Sequence, residues 1–350
     1  MKNPLNKHNF YKNLIFLIQI IEIMKPLSTV LLSLFIGTAS FAQSLTLNQP
    51  VKLPTLYDLK QYDPAQNLLQ DRFSDSIAPC FLDRFKKRKY TPVVVGGSAA
   101  VIGVSTYVLM KHLWWGDKAE KFHFDFNRDY KYANNLDKFG HFMGGVWAAD
   151  FYRGVFKELT FNEKEAAWYG FAMATGIQMG IELKDGFAPN WGFSLGDVAT
   201  GSLGGLLYVG RLHSKLLRET DFKMSYWQHS TKYFDARNHK PTLFDPDDYL
   251  NQTYWVSTSL RYLTREKIAW VPDWLNLAVG FGIEADSWNL TGAGEGGKWE
   301  IYLAPDINLE KLFKPKKKFW KLVFHSMNYV KIPMPTLQLG PKIKGHGLYF

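Results

Sequence analysis

Three Gly-rich apolar segments near the middle of the chain constrain its fold most, because each also carries charged side chains. Their apolar spacing predicts helices over Asn135–Glu158, Glu163–Lys184 and Leu195–Leu217. Small residues let helix backbones approach closely. Ionisable groups in apolar helices are costly unless they pair, bind a metal or do chemistry. The sequence therefore predicts a close-packed helical bundle whose charged residues meet in one place.

A fourth helix is predicted ahead of these three. Pro92–Met110 is a run of nineteen residues without a charge, close to the length of about 20 residues that spans a bilayer. Its Gly and Ala content also suits close approach between helices. The alternative is a buried helix in a soluble bundle, and both interpretations stay open. We assign residues 91–221 to a bundle of about four helices.

The period changes in residues 222–350, where alternating apolar and polar residues predict an antiparallel β region of about five strands. Together with the bundle, this predicts an α+β protein. The predicted strands, of which Phe319–Lys331 has the weakest pattern, are Thr253–Leu263, Trp274–Ile283, Trp299–Leu309, Phe319–Lys331 and Thr336–Phe350.

The N-terminus has the pattern of an export signal. Lys25 precedes an apolar run that ends in small residues, which predicts a start at Met24 and cleavage after Ala42. Residues 1–42 are thus interpreted as an upstream extension plus signal peptide, and residues 43–90 as an extended arm. The only cysteine, Cys80, lies far from the predicted cut, so neither a lipid anchor at the cut nor an intramolecular disulfide is expected.

The formal net charge of +10 favours anionic partners. In an exported chain these are acidic lipid headgroups or anionic glycans and not nucleic acid. Lys311–Lys321 combines lysines with aromatic residues, so it could lie on an anionic membrane or form a solvated turn. The terminal Phe350 on an alternating strand is typical of outer-membrane proteins. We therefore expect a membrane lipid or envelope component as partner, in the periplasm or at the outer membrane.

The first candidate site residues lie in the first predicted helix. Asp137 and His141 are four residues apart and share a face, and Lys138 lies close to it. A carboxylate and a histidine at this spacing could hold a metal or form an acid–base pair. Asp137 could equally serve the helix N-terminus, and Asp197 could do the same three residues after the cap Ser194.

Glu182 and Asp185 are harder to explain as helix-end residues. Both fall in the last turn of the second predicted helix, where the helix dipole disfavours acids. Such carboxylates need a cationic partner, and Lys138, His141 or a divalent metal could serve. This conflict predicts a shared polar site built from His141, Glu182 and Asp185 with Asp137, Lys138 and Asp197.

Three ordered motifs carry a family resemblance, namely Asp137-Lys138-Phe139-Gly140-His141-Phe142, Glu182-Leu183-Lys184-Asp185-Gly186-Phe187 and Phe193-Ser194-Leu195-Gly196-Asp197. This order resembles the YfiM-like family of uncharacterised envelope proteins. Asn251–Ser257 is similar to the C-terminal extension of its Bacteroidetes-type members. A more distant likeness is to VanZ-like membrane proteins, which generally have an Arg where this chain has Pro189-Asn190-Trp191. The resemblance implies an envelope location and shared site residues rather than an activity.

Two functions fit these patterns. The first is a structural or lipid-associated envelope protein in which the charged residues order the bundle. The second is a metal- or acid–base-dependent hydrolase of a lipid or cell-wall glycan. In that case His141 would be base or ligand, Glu182, Asp185 and Asp197 would be ligands or acids, and Lys138 would hold an anion.

Overall fold

The computed structural model describes residues 87–111, 115, 119–126, 129–236, 238, 240–241, 244–284 and 298–350. The predicted signal peptide in 1–42, Cys80 and the arm up to residue 86 lie outside these described residues. The chain divides into two compact units, residues 1–105 and 106–350. In the first unit the described residues form a turn and then most of helix α1 (Thr91–Met110).

Helix α1 contains no charged residue, in agreement with the uncharged run seen in the sequence. Among the described residues it is the helix whose length and composition would allow it to cross a membrane, and only 11% of its apolar stretch is buried.

The second unit begins with a bundle of three long helices, α2 (Leu136–Glu158), α3 (Glu163–Asp185) and α4 (Leu195–His213). Local caps set two of their starts. Asn162 and Glu165 form a reciprocal capping box at α3, and the Ser194 hydroxyl accepts from the backbone N–H of Asp197 at α4. Short helices follow at α5 (Lys215–Arg218), α6 (Lys232–Ala236), α7 (Leu260–Leu263), α8 (Leu309–Phe313) and α9 (Lys318–Met327).

A six-stranded antiparallel sheet completes the α+β fold, and its strands pair in the order in which they occur along the chain. The strands are β1 (Thr220–Tyr226), β2 (Gln252–Ser259), β3 (Leu275–Ile283), β4 (Trp299–Ile307), β5 (Met334–Gly340) and β6 (Lys344–Tyr349).

Three details of the predicted β region are wrong. Phe319–Lys331 is not a strand, because Trp320, Phe324 and Met327 recur at helical spacing and lie in helix α9. Thr336–Phe350 divides into two strands that pair with each other. Strand β1 was not predicted, and with it the count rises from about five to six.

Helix α2 joins the bundle to the sheet. Phe139 on one side of α2 contacts the rings of Tyr254, Phe281 and Trp299. Another side of α2 contacts α4, where a Cβ on Gly145 would lie 1.9 Å from the carbonyl oxygen of Gly201. The predicted close helix packing is therefore real at this crossing. It does not extend to Gly176 and Gly180, whose Cβ positions have nothing within 4 Å.

Candidate functional site

The three motifs meet around one pocket at the end of the bundle. Asp137 and His141 reach it from the first turns of α2, Glu182 and Asp185 from the last turn of α3, and Asp197 from the first turn of α4. The cavity measures about 60 Å³, which is room for an ion or a few water molecules. The short connection from α3 to α4 brings the two acidic ends together.

Glu182 ties the end of α3 to the start of α4. Its Oε2 accepts a hydrogen bond of 3.1 Å from the backbone N–H of Ser194. Glu182 is 1% exposed, and its Oε1 forms no hydrogen bond with any residue that the structure describes. A buried acceptor without a partner is costly, so this oxygen marks the place where the pocket has unused binding capacity.

Lys138 neutralises one half of the site. Its Nζ lies 2.9 Å from Asp137 Oδ2 and 2.7 Å from Asp197 Oδ1, and it also donates to Asp129 Oδ1. The sequence had offered Lys138 as a partner for Glu182 or Asp185, and that pairing is wrong. With three carboxylates around it, this ammonium group has little capacity left to hold an anion.

His141 faces the other half of the site. Its Nδ1 lies 3.7 Å from Glu182 Oε1, and its Nε2 lies 3.5 Å from Asp197 Oδ2. Both separations exceed ordinary hydrogen-bond lengths. Gln178 orients the His141 ring. Its Nε2 donates a 3.0 Å hydrogen bond to the His141 carbonyl, and its Oε1 lies 3.3 Å from His141 Nδ1. Of the two side chains predicted as partners of Glu182, His141 is therefore the one that lies beside it.

Asp185 has a different partner from those predicted. The indole N–H of Trp115 donates to Asp185 Oδ1. Sequence reasoning missed Trp115, Asp129 and Gln178. Trp115 and Asp129 lie outside the long helices, where no motif or period marks them, and Gln178 is an ordinary polar residue within α3. Each reaches the site only through the tertiary fold.

The acids of this pocket are crowded and poorly solvated. Burial raises the pKa of Glu182, and the charges of Asp197 and Asp185 raise it further. Burial also raises the pKa of Asp137, although Lys138 opposes the shift. Asp185 has its pKa raised to about 7 by burial, against the opposing hydrogen bond from Trp115. Only protons or a bound cation could relieve this excess of negative charge.

Among the residues that the structure describes, two groups of side chains have the geometry to hold a cation. Ligand atoms of His141, Glu182 and Asp197 all lie within 4.8 Å of one another, close enough for a single ion to contact all three. The same holds for Asp129, Asp137 and Asp197, but there the Lys138 ammonium already supplies the positive charge. The first group is therefore the candidate metal centre, and Asp197 connects it to Lys138.

Comparison with known proteins adds one similarity. Residues 126–210 match the model of a family described as predicted periplasmic lipoprotein (DUF2279). The matched segment contains α2, α3 and α4 up to Gly210, with every predicted site residue. No curated protein and no solved structure matches the chain. The chain is thus similar, over its helical bundle, to an uncharacterised periplasmic family, which supports the predicted export from the cytoplasm.

Proposed function

We propose that this exported protein binds a divalent cation through His141, Glu182 and Asp197 and acts as a hydrolase on a lipid or cell-wall glycan. The observation that carries the proposal is the convergence of these three side chains on a pocket in which the buried Glu182 Oε1 has no hydrogen bond within the described structure. Histidine nitrogen and carboxylate oxygen atoms are ligands of divalent metals such as Zn²⁺, and catalytic zinc sites keep three protein ligands and one open position.

The surrounding residues supply the remaining chemistry. A cation bound there would lower the pKa of a coordinated water. Asp185 lines the same pocket with a pKa of about 7, so this carboxyl group can take up or release a proton near neutral pH. Lys138 keeps the Asp197 carboxylate oriented through their 2.7 Å contact. Its role is therefore to position an acid and not to hold a substrate anion.

The second candidate is a structural or lipid-associated role, in which the charged residues only order the bundle. The contacts of Lys138 with Asp129, Asp137 and Asp197 favour it, because a fully paired buried cation can fix the packing of three chain segments. This role does not account for Glu182, whose second oxygen gains nothing from the arrangement.

We also propose that the protein is held at a membrane by Pro92–Met110, with a membrane lipid or another envelope component as its partner. The apolar, largely exposed helix α1 supports this location. Kinship with YfiM-like envelope proteins is part of the same proposal, because the three motifs that carry the resemblance meet in one pocket.

The metal content of the purified full chain tests the proposal. After exposure to Zn²⁺, Mn²⁺ or Mg²⁺ and removal of free ion, we expect the wild type to retain one of them at about one ion per chain. His141→Ala and Glu182→Gln should lose it. Glu182→Gln keeps an oxygen that can accept from Ser194, so its fold should persist. His213→Ala, at an exposed position at the end of α4, is the matched control and should bind like wild type.

Equal metal content in wild type and His141→Ala would rule out this centre. If binding is confirmed, hydrolysis of phospholipids and of cell-wall fragments should be compared with and without EDTA. Asp185→Asn should then bind metal normally but lose turnover. Metal binding without any EDTA-sensitive hydrolysis would favour the structural role.

A further inference from the structure

A patch of exposed phenylalanines borders the candidate site. We define the Phe patch as Phe122, Phe124, Phe126 and Phe187, which are 39%, 46%, 63% and 43% exposed. Successive ring centroids lie 5.1 to 5.3 Å apart along the path from Phe187 through Phe122 and Phe124 to Phe126. Four large apolar side chains held together at a surface are unusual for a protein that faces only water.

The local backbone explains why these rings point outward. Residues 120–125 run extended along the connection between α3 and α4, with backbone hydrogen bonds from His123 to Gly186 and from Asp125 to Phe193. In an extended chain alternate side chains point to opposite sides. The three Phe residues therefore share one side, while Asp125 on the other side lines the pocket.

The extended segment is fixed in place and not loosely attached. Phe193 is 7% exposed and contacts the rings of both Phe122 and Phe124. Gly186 leaves the space that Phe122 fills, since a Cβ there would lie 2.4 Å from the Phe122 ring. These contacts hold the apolar rings at the surface of the protein.

The end of the apolar helix α1 lies at the same corner of the second unit. Met110 packs in one cluster with Trp115, Ala188 and Trp191, and Trp191 also lines the pocket. Just before it, Tyr107, Val108 and Leu109 are 48%, 50% and 51% exposed, and Tyr107 contacts the Trp115 ring. Aromatic residues at the end of an apolar helix are typical of the membrane–water interface.

Cationic side chains accompany these aromatic rings. Lys121 directly precedes Phe122 and is exposed, and Lys184 lies 5.2 Å from the centre of the Trp115 ring. Apolar rings that insert below the headgroups, with lysines beside them, suit a bilayer that contains anionic lipid.

From these contacts we infer that the Phe patch docks into the interface of an anionic phospholipid bilayer. It forms a second membrane contact besides α1. Because Asp125, Trp191 and Gly192 belong both to the pocket lining and to the segments around the patch, docking brings the pocket to the level of the lipid headgroups. The inference needs no bound metal and does not depend on the proposed hydrolase.

Site-specific fluorescence tests this docking in the full chain. Cys80→Ser removes the only native thiol, and Phe126→Cys then carries an environment-sensitive NBD label. The matched control is Trp270→Cys, since Trp270 is an 80% exposed aromatic residue in the connection between α7 and β3. Both proteins are reconstituted in phosphatidylethanolamine/phosphatidylglycerol vesicles, with and without brominated acyl chains.

We expect the label at position 126 to emit at shorter wavelength and to lose at least half of its intensity with brominated lipid. The label at position 270 should behave as in water. Water-like emission at 126 would overturn the inference. So would a blue shift without bromine quenching, because that result means that protein covers the patch. EDTA and His141→Ala should leave the quenching unchanged, which separates this test from the metal test.

Discussion

His325 shows how much a single residue can contribute outside the candidate site. It lies between Asp150 of α2 and Glu310 of α8 and hydrogen-bonds to both. The Tyr329 hydroxyl donates a 2.7 Å hydrogen bond to the same Asp150. Burial opposes a charged imidazole, but the two carboxylates outweigh burial and raise the pKa of His325 to about 10. The imidazolium thus links the bundle to the helices between β4 and β5.

This link predicts a defined pH dependence of stability. A histidine whose pKa rises on folding contributes its full stabilisation below the unfolded value of 6.5, and the contribution disappears as pH rises toward about 10. Burial opposes a charged Asp150, but its hydrogen bond with His325 and the charge of that imidazole lower its pKa below the usual value. The contribution of Asp150 to stability is therefore complete at every pH above 5. The difference in unfolding free energy between wild type and His325→Gln should therefore be largest at pH 5 to 6.5 and shrink steadily up to pH 9.

Urea unfolding at a series of pH values measures this difference. His213→Gln, at an exposed position on α4, serves as the control and should differ from wild type by a small amount that does not vary with pH. A constant difference for His325→Gln between pH 5 and 9 would show that the imidazole is not charged by its two neighbours.

At the level of single residues, the sequence located the candidate site but not its pairings. His141, Glu182 and Asp197 were identifiable because charges inside apolar helices are conspicuous, and they do converge. Trp115 and Asp129 were not, because nothing local distinguishes them from other loop residues. His325 had also seemed ordinary, since Asp150 lies 175 residues away from it in the chain and no spacing rule reaches that far.

Whole elements were predictable wherever a local rule fixes their ends. The start of α3 follows from the Asn162–Glu165 box and that of α4 from Ser194. The predicted end of α4 at Leu217 is wrong, because Ser214 ends the helix and caps a new turn by accepting from the Leu217 N–H. Strand β1 was missed although its residues alternate. Its polar residue Lys223 is fully buried because it pairs with Asp306 of β4, and this partner cannot be recognised from the local sequence.

Close contact between α2 and α4 predicts a large difference between two glycines of the same helix. Gly145→Ala would place a methyl group 1.9 Å from the Gly201 carbonyl oxygen, so the two backbones must separate. Overpacking typically costs about 1 to 3 kcal/mol, and a clash between two backbones should lie at the upper end of this range. Gly154→Ala, also in α2, has nothing within 4 Å of its Cβ and should be neutral or stabilise the protein by up to about 1 kcal/mol.

Thermal and denaturant unfolding of the two variants measure the contrast. Because α2 also carries Asp137, Lys138 and His141 toward the pocket, Gly145→Ala should weaken metal binding as well, whereas Gly154→Ala should not. Equal melting temperatures for the two variants would contradict the crossing of α2 and α4 described above.

At the scale of the whole molecule, the helical bundle and the sheet differ in their similarity to known proteins but pack against each other. The bundle is the segment that is similar to a periplasmic family, and it carries all the predicted site residues. The sheet lies outside that similarity, yet it packs on α2 through Tyr254, Phe281 and Trp299. Substitutions in this aromatic contact should therefore affect the bundle even though the sheet contributes no motif to the site.

The proposed membrane attachment concerns the entire chain. Val101 and Val104 are 52% and 64% exposed on the uncharged helix α1. A charge near the centre of a membrane helix costs about 3 kcal/mol on insertion scales. The double variant Val101→Asp/Val104→Asp should therefore move into the soluble fraction after alkaline carbonate extraction, whereas the wild type should stay in the membrane pellet.

Leu203→Asp/Leu206→Asp provides a control with the same three-residue spacing. Leu203 and Leu206 are 57% and 36% exposed on α4, a bundle helix that lacks the features of a membrane span, so this variant should remain in the pellet. Carbonate removes proteins that are held only at the surface, as contact through the Phe patch alone would be. Release of the wild type by carbonate would therefore show that α1 does not span the membrane and that the protein is held only at the surface. Release of the Leu203→Asp/Leu206→Asp variant alone would show that the bundle also takes part in membrane attachment.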